Sequence, residues 1–528
     1  MTESDLPVVH LVPGRWGDPS HRVELPAPAL EALEHLGVRR PAPTPAGDPV
    51  DRGSELPGEV RQALEKALGV EQVSTDQASR WGHTRGYSTP DLLRRRAGDT
   101  SDMPDAIVYP GSHEDVQALL AVCVEHHVAV IPYAGGTSVV GGLASRRDGF
   151  AAVVAVDLRR LDRLVEVDEI SRTATLEAGV RGPAAEALLA EHGFTLGHFP
   201  QSYEGASIGG YAATRSSGQS SAGYGRFDQM VVGLTLATPR GTIRLGRAPS
   251  SAAGPDLRQL VLGSEGSLGI ITSVVLRVRP RPVDRVFEGW HFASFDAGLA
   301  AIRRLAQDGP LPTVLRLSDE AETAINLADP EVLGGGPGGV LAICGFEGTH
   351  TAVRRAEAAE VLAAAGGQPL GEGPGELWRQ GRYRAPYLRD PLLDEGALVE
   401  TLETAGFWSA VPGLKRRVTE ALVTELSEQG TPPLVLCHVS HVYETGASLY
   451  FTVISAQTDD PVAQWRRAKT AASAAIAAAG GTITHHHGVG TDHRDAYHAE
   501  VGPLAIEALR AVKQVLDPSG ILNPGILL

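Results

Sequence analysis

Cysteine is nearly absent from this 528-residue sequence: Cys123, Cys344 and Cys437 are odd in number and far apart. That spacing excludes a disulfide framework and a zinc knuckle, and a reducing compartment is expected. Positive charge is also short. Lys and Arg total 47 against 63 Asp and Glu, a formal net charge of −16, so the surface as a whole repels nucleic acid and anionic membranes. No nucleic-acid partner is expected, although the arginines leave room for a local basic pocket that takes a phosphate-bearing ligand. No apolar run approaches the roughly 18–20 residues of a membrane span. The start MTESDLPVVHLVPGRWG has neither the basic nor the apolar region of a signal peptide, and no peroxisomal targeting segment is visible at either end. The expectation is a cytoplasmic protein, with peripheral membrane contact left open. Two nucleotide signatures are missing as well: no Gly-Lys-Ser/Thr closes a Walker loop, and no G-x-G-x-x-G opens a helix.

What is present is an ordinary globular balance, 42% hydrophobic and 21% charged, in a chain long enough for two or three domains. Residues 1–98 carry two short helical patterns, PAPALEALEHLGV and GEVRQALEKALG, in a proline-rich setting, and read as an N-terminal helical collar. From residue 99 the texture changes. PDAIVYP reads as a strand; Ser112 caps a helix with Asp115 as a capping-box variant; Val116, Leu119, Leu120, Cys123 and Val124 follow at helical spacing. The strand HVAVIPY then runs into AGGTSVVGG. AAVVAVDL, TATLEAGV, QMVVGLTLATPRGTIRL and LGIITSVVLRVRP are further strand-like segments, with a helix at PAAEALLAEHG, so the class is α+β and not a repeated βαβ array. Residues 284–460 alternate helices (FDAGLAAIRRLA, HTAVRRAEAAEVLAAAG) with strands (GGVLAICGFEG, SLYFTVISAQ) and form an α+β substrate or cap domain; residues 461–528 form a C-terminal segment. The proline-broken run Gly334–Gly339 reads as a loop.

Three glycine-rich clusters carry chemistry. Pro132-Tyr133-Ala134-Gly135-Gly136-Thr137-Ser138 directly follows a strand. Its glycines let successive N–H groups converge on one point, where they can bind a phosphate, and Thr137 and Ser138 add hydroxyls. The second cluster joins Gly197-His198-Phe199-Pro200-Gln201-Ser202 to Ser207-Ile208-Gly209-Gly210 and Thr214-Arg215-Ser216-Ser217-Gly218, small residues that suit a main chain lying flush on a flat ligand. The third, Gly263-Ser264-Glu265-Gly266-Ser267-Leu268-Gly269-Ile270-Ile271, puts a carboxylate between glycines, where it can accept from a ribose or an adenine amine. A different feature is His485-His486-His487-Gly488-Val489-Gly490. On an extended chain His485 and His487 would share a side. Imidazoles shuttle protons, bind anions when charged, or ligate metal, with His438 and His441 as conceivable partners in the last case.

In this order the clusters resemble the FAD-binding (PCMH-type) domain of the vanillyl-alcohol-oxidase flavoproteins, over about residues 100–285. The resemblance implies that FAD meets Pro132, Gly135, Gly136, Thr137, Ser138, Pro200, Ser202, Gly209, Gly210, Thr214, Ser217, Glu265, Gly269 and Ile271. No His or Cys stands in the first loop at the family's attachment positions, so FAD is expected to be non-covalent. Along nearly the whole chain, GHxPxS, TRxSG, ATPRGTI, GSEGSLGIIT, RLSD, ASLYF and HHHGVG are similar to alkylglycerone-phosphate synthases. That resemblance implies an acid/base tyrosine at Tyr450 and a histidine cluster at His485, His486 and His487. It also implies substrate arginines at Arg316 and Arg389, and a role for His198. The C-terminal segment is expected to return to the flavin site.

The implied reaction replaces the acyl group of an acyl-dihydroxyacetone phosphate with a fatty alcohol, redox-neutral overall. The expected partners are a lipid-like small molecule and a second copy of the chain in a homodimer; no metal is expected. Two departures stand out. Thr491-Asp492-His493-Arg494 replaces a lysine-rich segment, and the ending DPSGILNPG is closer to D-lactate and glycolate dehydrogenases. An FAD-dependent dehydrogenase or oxidase of a D-2-hydroxy acid is therefore the alternative, although HVSH and HHHG lack the GDGN and Glu of its metal-site segments.

Overall fold

The computed structural model describes residues 6–17, 23–40, 49, 52–144, 146–326 and 338–528. The first sheet runs Val73–Ser74, Ala106–Val108, Ala152–Asp157, Val128–Tyr133, antiparallel in its first pair and parallel thereafter. Every residue of Ala152–Asp157 is buried, because a parallel strand covered on both faces needs an unbroken apolar run, and AVVAVD supplies one. Helix His113–Glu125 covers it. Ser112 Oγ accepts the Asp115 N–H at 3.0 Å, and the Asp115 carboxylate accepts the Gly111 N–H at 2.8 Å, the two-way cap expected from the sequence. Val116, Leu119, Leu120 and Cys123 are buried. Val124 is not: it is 39% exposed. At 3.6 residues per turn it lies about 80° round from Val116, at the edge of the apolar stripe.

A second, antiparallel sheet orders Leu164–Asp168, Thr173–Glu177, Ile270–Arg277, Val231–Thr238 and Gly241–Leu245. It shares one core with the first sheet, and that core also takes Val60 and Leu64 of helix Gly58–Leu68 and, from far along the chain, Ile521 and Leu522. The N-terminal residues therefore divide. One helix and the strand Val73–Ser74 join this core, whereas Leu33 of helix Ala27–His35 packs on Ala397 and Val399. The segment 521–523 lies beside Val128–Tyr133: Val130 N–H donates to Ile521 O, and Asn523 N–H to Val130 O, both at 2.8 Å.

The third sheet has seven antiparallel strands, in the order Gln368–Gly371, Asp284–Phe292, Val340–Gly348, Val314–Ser318, Leu434–Val442, Gly446–Ala456, Ala397–Phe407. Its central strands alternate between two faces, with a bulge between Val439 and His441. Leu315, Leu317, Ala342, Cys344, Phe346, Cys437, Val439, Leu449, Phe451 and Val453 face a core shared with helices Phe295–Asp308, Val411–Glu428 and Pro461–Ala478. The alternate residues Val314, Arg316, Leu341, Ile343, His438, Ser440, Tyr450 and Thr452 face a cavity. Of the glycine run read as a loop, residues 334–337 lie outside the described residues. No helix among the described residues is long and apolar enough to cross a membrane.

Candidate active site

One cavity of about 690 Å³ lies between the first domain and the open face of the seven-stranded sheet. All fourteen residues expected at the cofactor line it. The glycine loop is tightly specified. Gly136 has φ +71°, and a Cβ there would stand 2.2 Å from Tyr133 Oη; a Cβ on Gly135 would stand 2.5 Å from Gly205 O. Arg181 braces the loop from behind, donating to Ala134 O at 2.8 Å and Gly205 O at 2.5 Å. Ser138 Oγ accepts the Gly142 N–H at 3.0 Å, which leaves its proton for a ligand.

The second cluster differs from its sequence reading. Residues Ile208–Thr214 are a short helix, capped by Ser207 Oγ on the Gly210 N–H, not an extended surface. Gly209 is there for helix packing, since its Cβ would meet that of Ala178 at 2.7 Å. Glu265 differs too. Its carboxylate is turned to the chain itself, accepting the Val489 N–H at 2.8 Å and the Gly490 N–H at 3.0 Å. Burial pushes it up to about 7, the two amides pulling the other way. It joins the cofactor domain to the histidine segment, so its oxygens are committed before any ribose arrives.

Across the cavity, Tyr450 lies between His438 (ring centroids 5.0 Å apart) and His486 (6.2 Å), both stacked, with His487 edge-on at 5.7 Å. The resemblance implies an acid/base role for this phenol. Burial pushes it up to about 12, outweighing the Thr401 hydrogen bond, so Tyr450 carries its proton at neutral pH. Burial also holds His438, His486 and His487 below the usual imidazole value. Arg316 is not an isolated cation: it donates to Glu322, which also meets His438 Nδ1 at 3.0 Å. Burial works to raise Glu322, but His438 and Arg316 outweigh it and hold the carboxyl at about 2. Arg389 approaches Glu400 only to 3.9 Å, and its buried Nε has no hydrogen-bond partner among the described residues.

Two of the expected residues are not on the cavity wall. His198 is buried behind it, with Nε2 3.0 Å from Ser216 Oγ and its ring against Tyr211 and Phe227; burial takes it down to about 3. His485 points to Tyr443 Oη at 2.5 Å. The extended-chain expectation that His485 pairs with His487 fails because the segment is bent: His485 Nδ1 meets His486 Nδ1 at 3.0 Å. The nitrogens of His441, His485 and His486 lie within 4.8 Å of one another, close enough to share a divalent ion.

Sequence reasoning missed the acids. Glu322, Glu400 and Glu403 are buried at the sheet's open side, and Glu403 accepts from Thr484 Oγ1 and from the main-chain N–H of His485, His486 and His487. A signal was available in VETLET, where two acids interrupt an apolar strand, a pattern that marks a partnered buried charge. An apolar arm completes the cavity: Leu341, Ile343, Pro374, Leu377 and Trp378.

A glycine-built cradle facing a sheet of titratable side chains, in a two-part α+β molecule, defines an FAD-dependent flavoenzyme of the vanillyl-alcohol-oxidase type. Comparison with known proteins agrees. Residues 104–246 match the family described as FAD binding domain, and residues 281–527 the family described as FAD linked oxidases, C-terminal domain. An alkyldihydroxyacetonephosphate synthase of Dictyostelium discoideum is 33% identical over 90% of this chain and 81% of its own. The solved structure of an alkyldihydroxyacetonephosphate synthase superposes with a TM-score of 0.83 at 29% identity, covering 98% of each chain. A mitochondrial D-lactate dehydrogenase [cytochrome] of Arabidopsis thaliana is 27% identical over 90% of this chain and 81% of its own. The chain belongs to the alkyldihydroxyacetonephosphate synthase family.

Proposed function

We propose that the chain exchanges the acyl group of an acyl-dihydroxyacetone phosphate for a fatty alcohol, the ether-forming step of ether-lipid biosynthesis. The observation that carries this reading is one continuous cavity. Its glycine cradle opens onto Tyr450, His486, His487 and Arg389, and then onto an apolar arm able to take an alkyl chain. The exchange forms one C–O bond and breaks another, releases a fatty acid, and needs no external oxidant. Bound FAD supplies an electron-accepting ring that activates the dihydroxyacetone unit. It is held non-covalently, since the glycine loop offers no His or Cys.

The chain's own residues do the rest. Tyr450, protonated at neutral pH, donates a proton to the departing oxygen. His486 and His487, neutral because buried, can take a proton from the incoming alcohol. Arg389 offers a bidentate face to the acyl carboxylate, and Arg316, already balanced by Glu322, orients it.

The test is anaerobic incubation of the FAD-bound protein with palmitoyl-dihydroxyacetone phosphate and hexadecanol, with the products read by mass spectrometry. Alkyl product and free palmitate with no electron acceptor support the reading. Flavin bleaching by a D-2-hydroxy acid, with no ether product, would transfer the chain to the dehydrogenase chemistry named in its more distant relative.

A further inference from the structure

The histidine segment does not hold its own shape. Residues 484–490 form no helix or strand, and its main-chain donors have to find acceptors elsewhere. Two carboxylates supply them, one on each side. Glu265 takes Val489 and Gly490 from the cofactor domain. Glu403, on strand Ala397–Phe407, takes His485, His486 and His487. Its Oε2 accepts the His485 N–H at 2.7 Å, and its Oε1 accepts the His486 and His487 N–H at 3.1 Å each and the Thr484 hydroxyl at 2.6 Å.

Four donors saturate this fully buried carboxylate. An ion buried this deeply costs several kcal/mol unless its oxygens are saturated. What the carboxylate does that a neutral side chain cannot is gather three consecutive amides onto one point. That forces the segment to bend and turns adjacent imidazoles toward different neighbours: His485 to Tyr443, His486 and His487 to Tyr450. Glu403 also stands directly across the ladder from Tyr450, so the residue that shapes the histidine segment and the residue the histidines face are fixed to each other by sheet register.

We propose that Glu403 is the positioning residue of this site: its carboxylate sets the backbone path of residues 484–487 and thereby aims His486 and His487 at Tyr450. It does not line the cavity and acts through the segment it holds. The inference rests on the functional reading above for the choice of substrate, but the pinning itself does not. Glu403→Gln keeps the size and replaces one acceptor with a donor that opposes the amides; Glu403→Asp keeps the charge at shorter reach.

Three quantities are measured on the FAD-bound protein: turnover of palmitoyl-dihydroxyacetone phosphate with hexadecanol, FAD content, and hydrogen exchange of the peptide covering residues 484–490. Glu403→Gln is expected to lower kcat about 100-fold, the scale of an ångström's misplacement of reacting groups. KM and FAD content should stay within about twofold of the parent, and the amides of 485–487 should exchange at least about tenfold faster as their acceptor is lost. Glu403→Asp is expected to recover part of both effects.

Full turnover in Glu403→Gln, or unchanged exchange at 485–487, overturns the proposal; so does a loss confined to KM. If the parent makes no ether product, the functional reading falls and the exchange result alone decides the role of Glu403. If Glu403→Gln loses its FAD, Thr484→Val removes one of the four donors without touching charge. A several-fold drop in kcat with faster exchange then supports the role, and parental behaviour overturns it.

Discussion

The two walls of the cavity are made of different material. The cofactor wall is main chain: glycines 135, 136, 209, 210 and 269, with prolines and hydroxyls between them. The opposite wall is side chain: residues from five strands of the seven-stranded sheet, plus a bent histidine segment. A flat dinucleotide needs close approach and fixed N–H groups, which backbone provides without flexible parts. A reaction needs groups that hold, give and take protons, which only side chains provide. The contrast implies that the first wall fails by steric intrusion and the second by loss of single functional atoms.

The most damaging change is expected on the cofactor wall. Gly136→Val sets a branched side chain where φ is +71° and Tyr133 Oη already lies 2.2 Å from a Cβ. The protein should purify without FAD and without activity, as read from its flavin absorbance. Tyr450→Phe should cut turnover by about 10²–10⁴-fold, the usual share of a general acid, while FAD content stays at the parental level. A flavin lost together with the hydroxyl would mean that the two walls are not separable in this way.

A third test uses pH. His198 sits behind the cofactor wall, where burial takes its imidazole from the ordinary 6.5 down to about 3. The folded value is depressed, so the unfolded chain binds the extra proton between those limits. Its contribution is fully present above pH 6.5 and shrinks as pH falls toward 3, by about 1.4 kcal/mol per pH unit. The thermal midpoint should drop as pH is lowered through that window, and His198→Phe should flatten the slope. Smallest of all, Val124→Ser, at an exposed position, should change stability by less than about 0.5 kcal/mol, whereas Leu120→Ala, one turn earlier and fully buried, should cost about 2–5 kcal/mol; chemical denaturation separates them.

The contrast between the walls also explains what the sequence could show. The glycine clusters were legible because a main-chain site leaves a compositional mark: bulk is missing wherever the ligand or a neighbouring backbone comes close. Even so, composition did not distinguish a helix from a flat loop at Ile208–Thr214, because Ser207-Ile-Gly-Gly fits a cap as well as a turn. The reaction wall left a fainter mark. Tyr450 in an apolar strand reads as core, and Arg316 as an ordinary ion pair; both reached the site list through resemblance alone. His485 and His198 came with them and lie off the wall, since a motif names neighbours in sequence and not the direction in which each side chain points. VETLET marks Glu403 as a buried, partnered charge, but not its partners, which lie 81 to 84 positions away.

The segment beside strand Val128–Tyr133 has a consequence for how the molecule is born. Ile521 and Asn523 bond to Val130, in the strand that delivers the glycine loop, and the Asn523 amide donates to Glu265 O at 2.6 Å. A ribosome therefore holds the cofactor domain one neighbour short until residues 521–523 emerge, nearly four hundred residues after the loop they support. A chain cut short before residue 521 would lack both hydrogen bonds to Val130 and the brace on Glu265, however well its first half had folded.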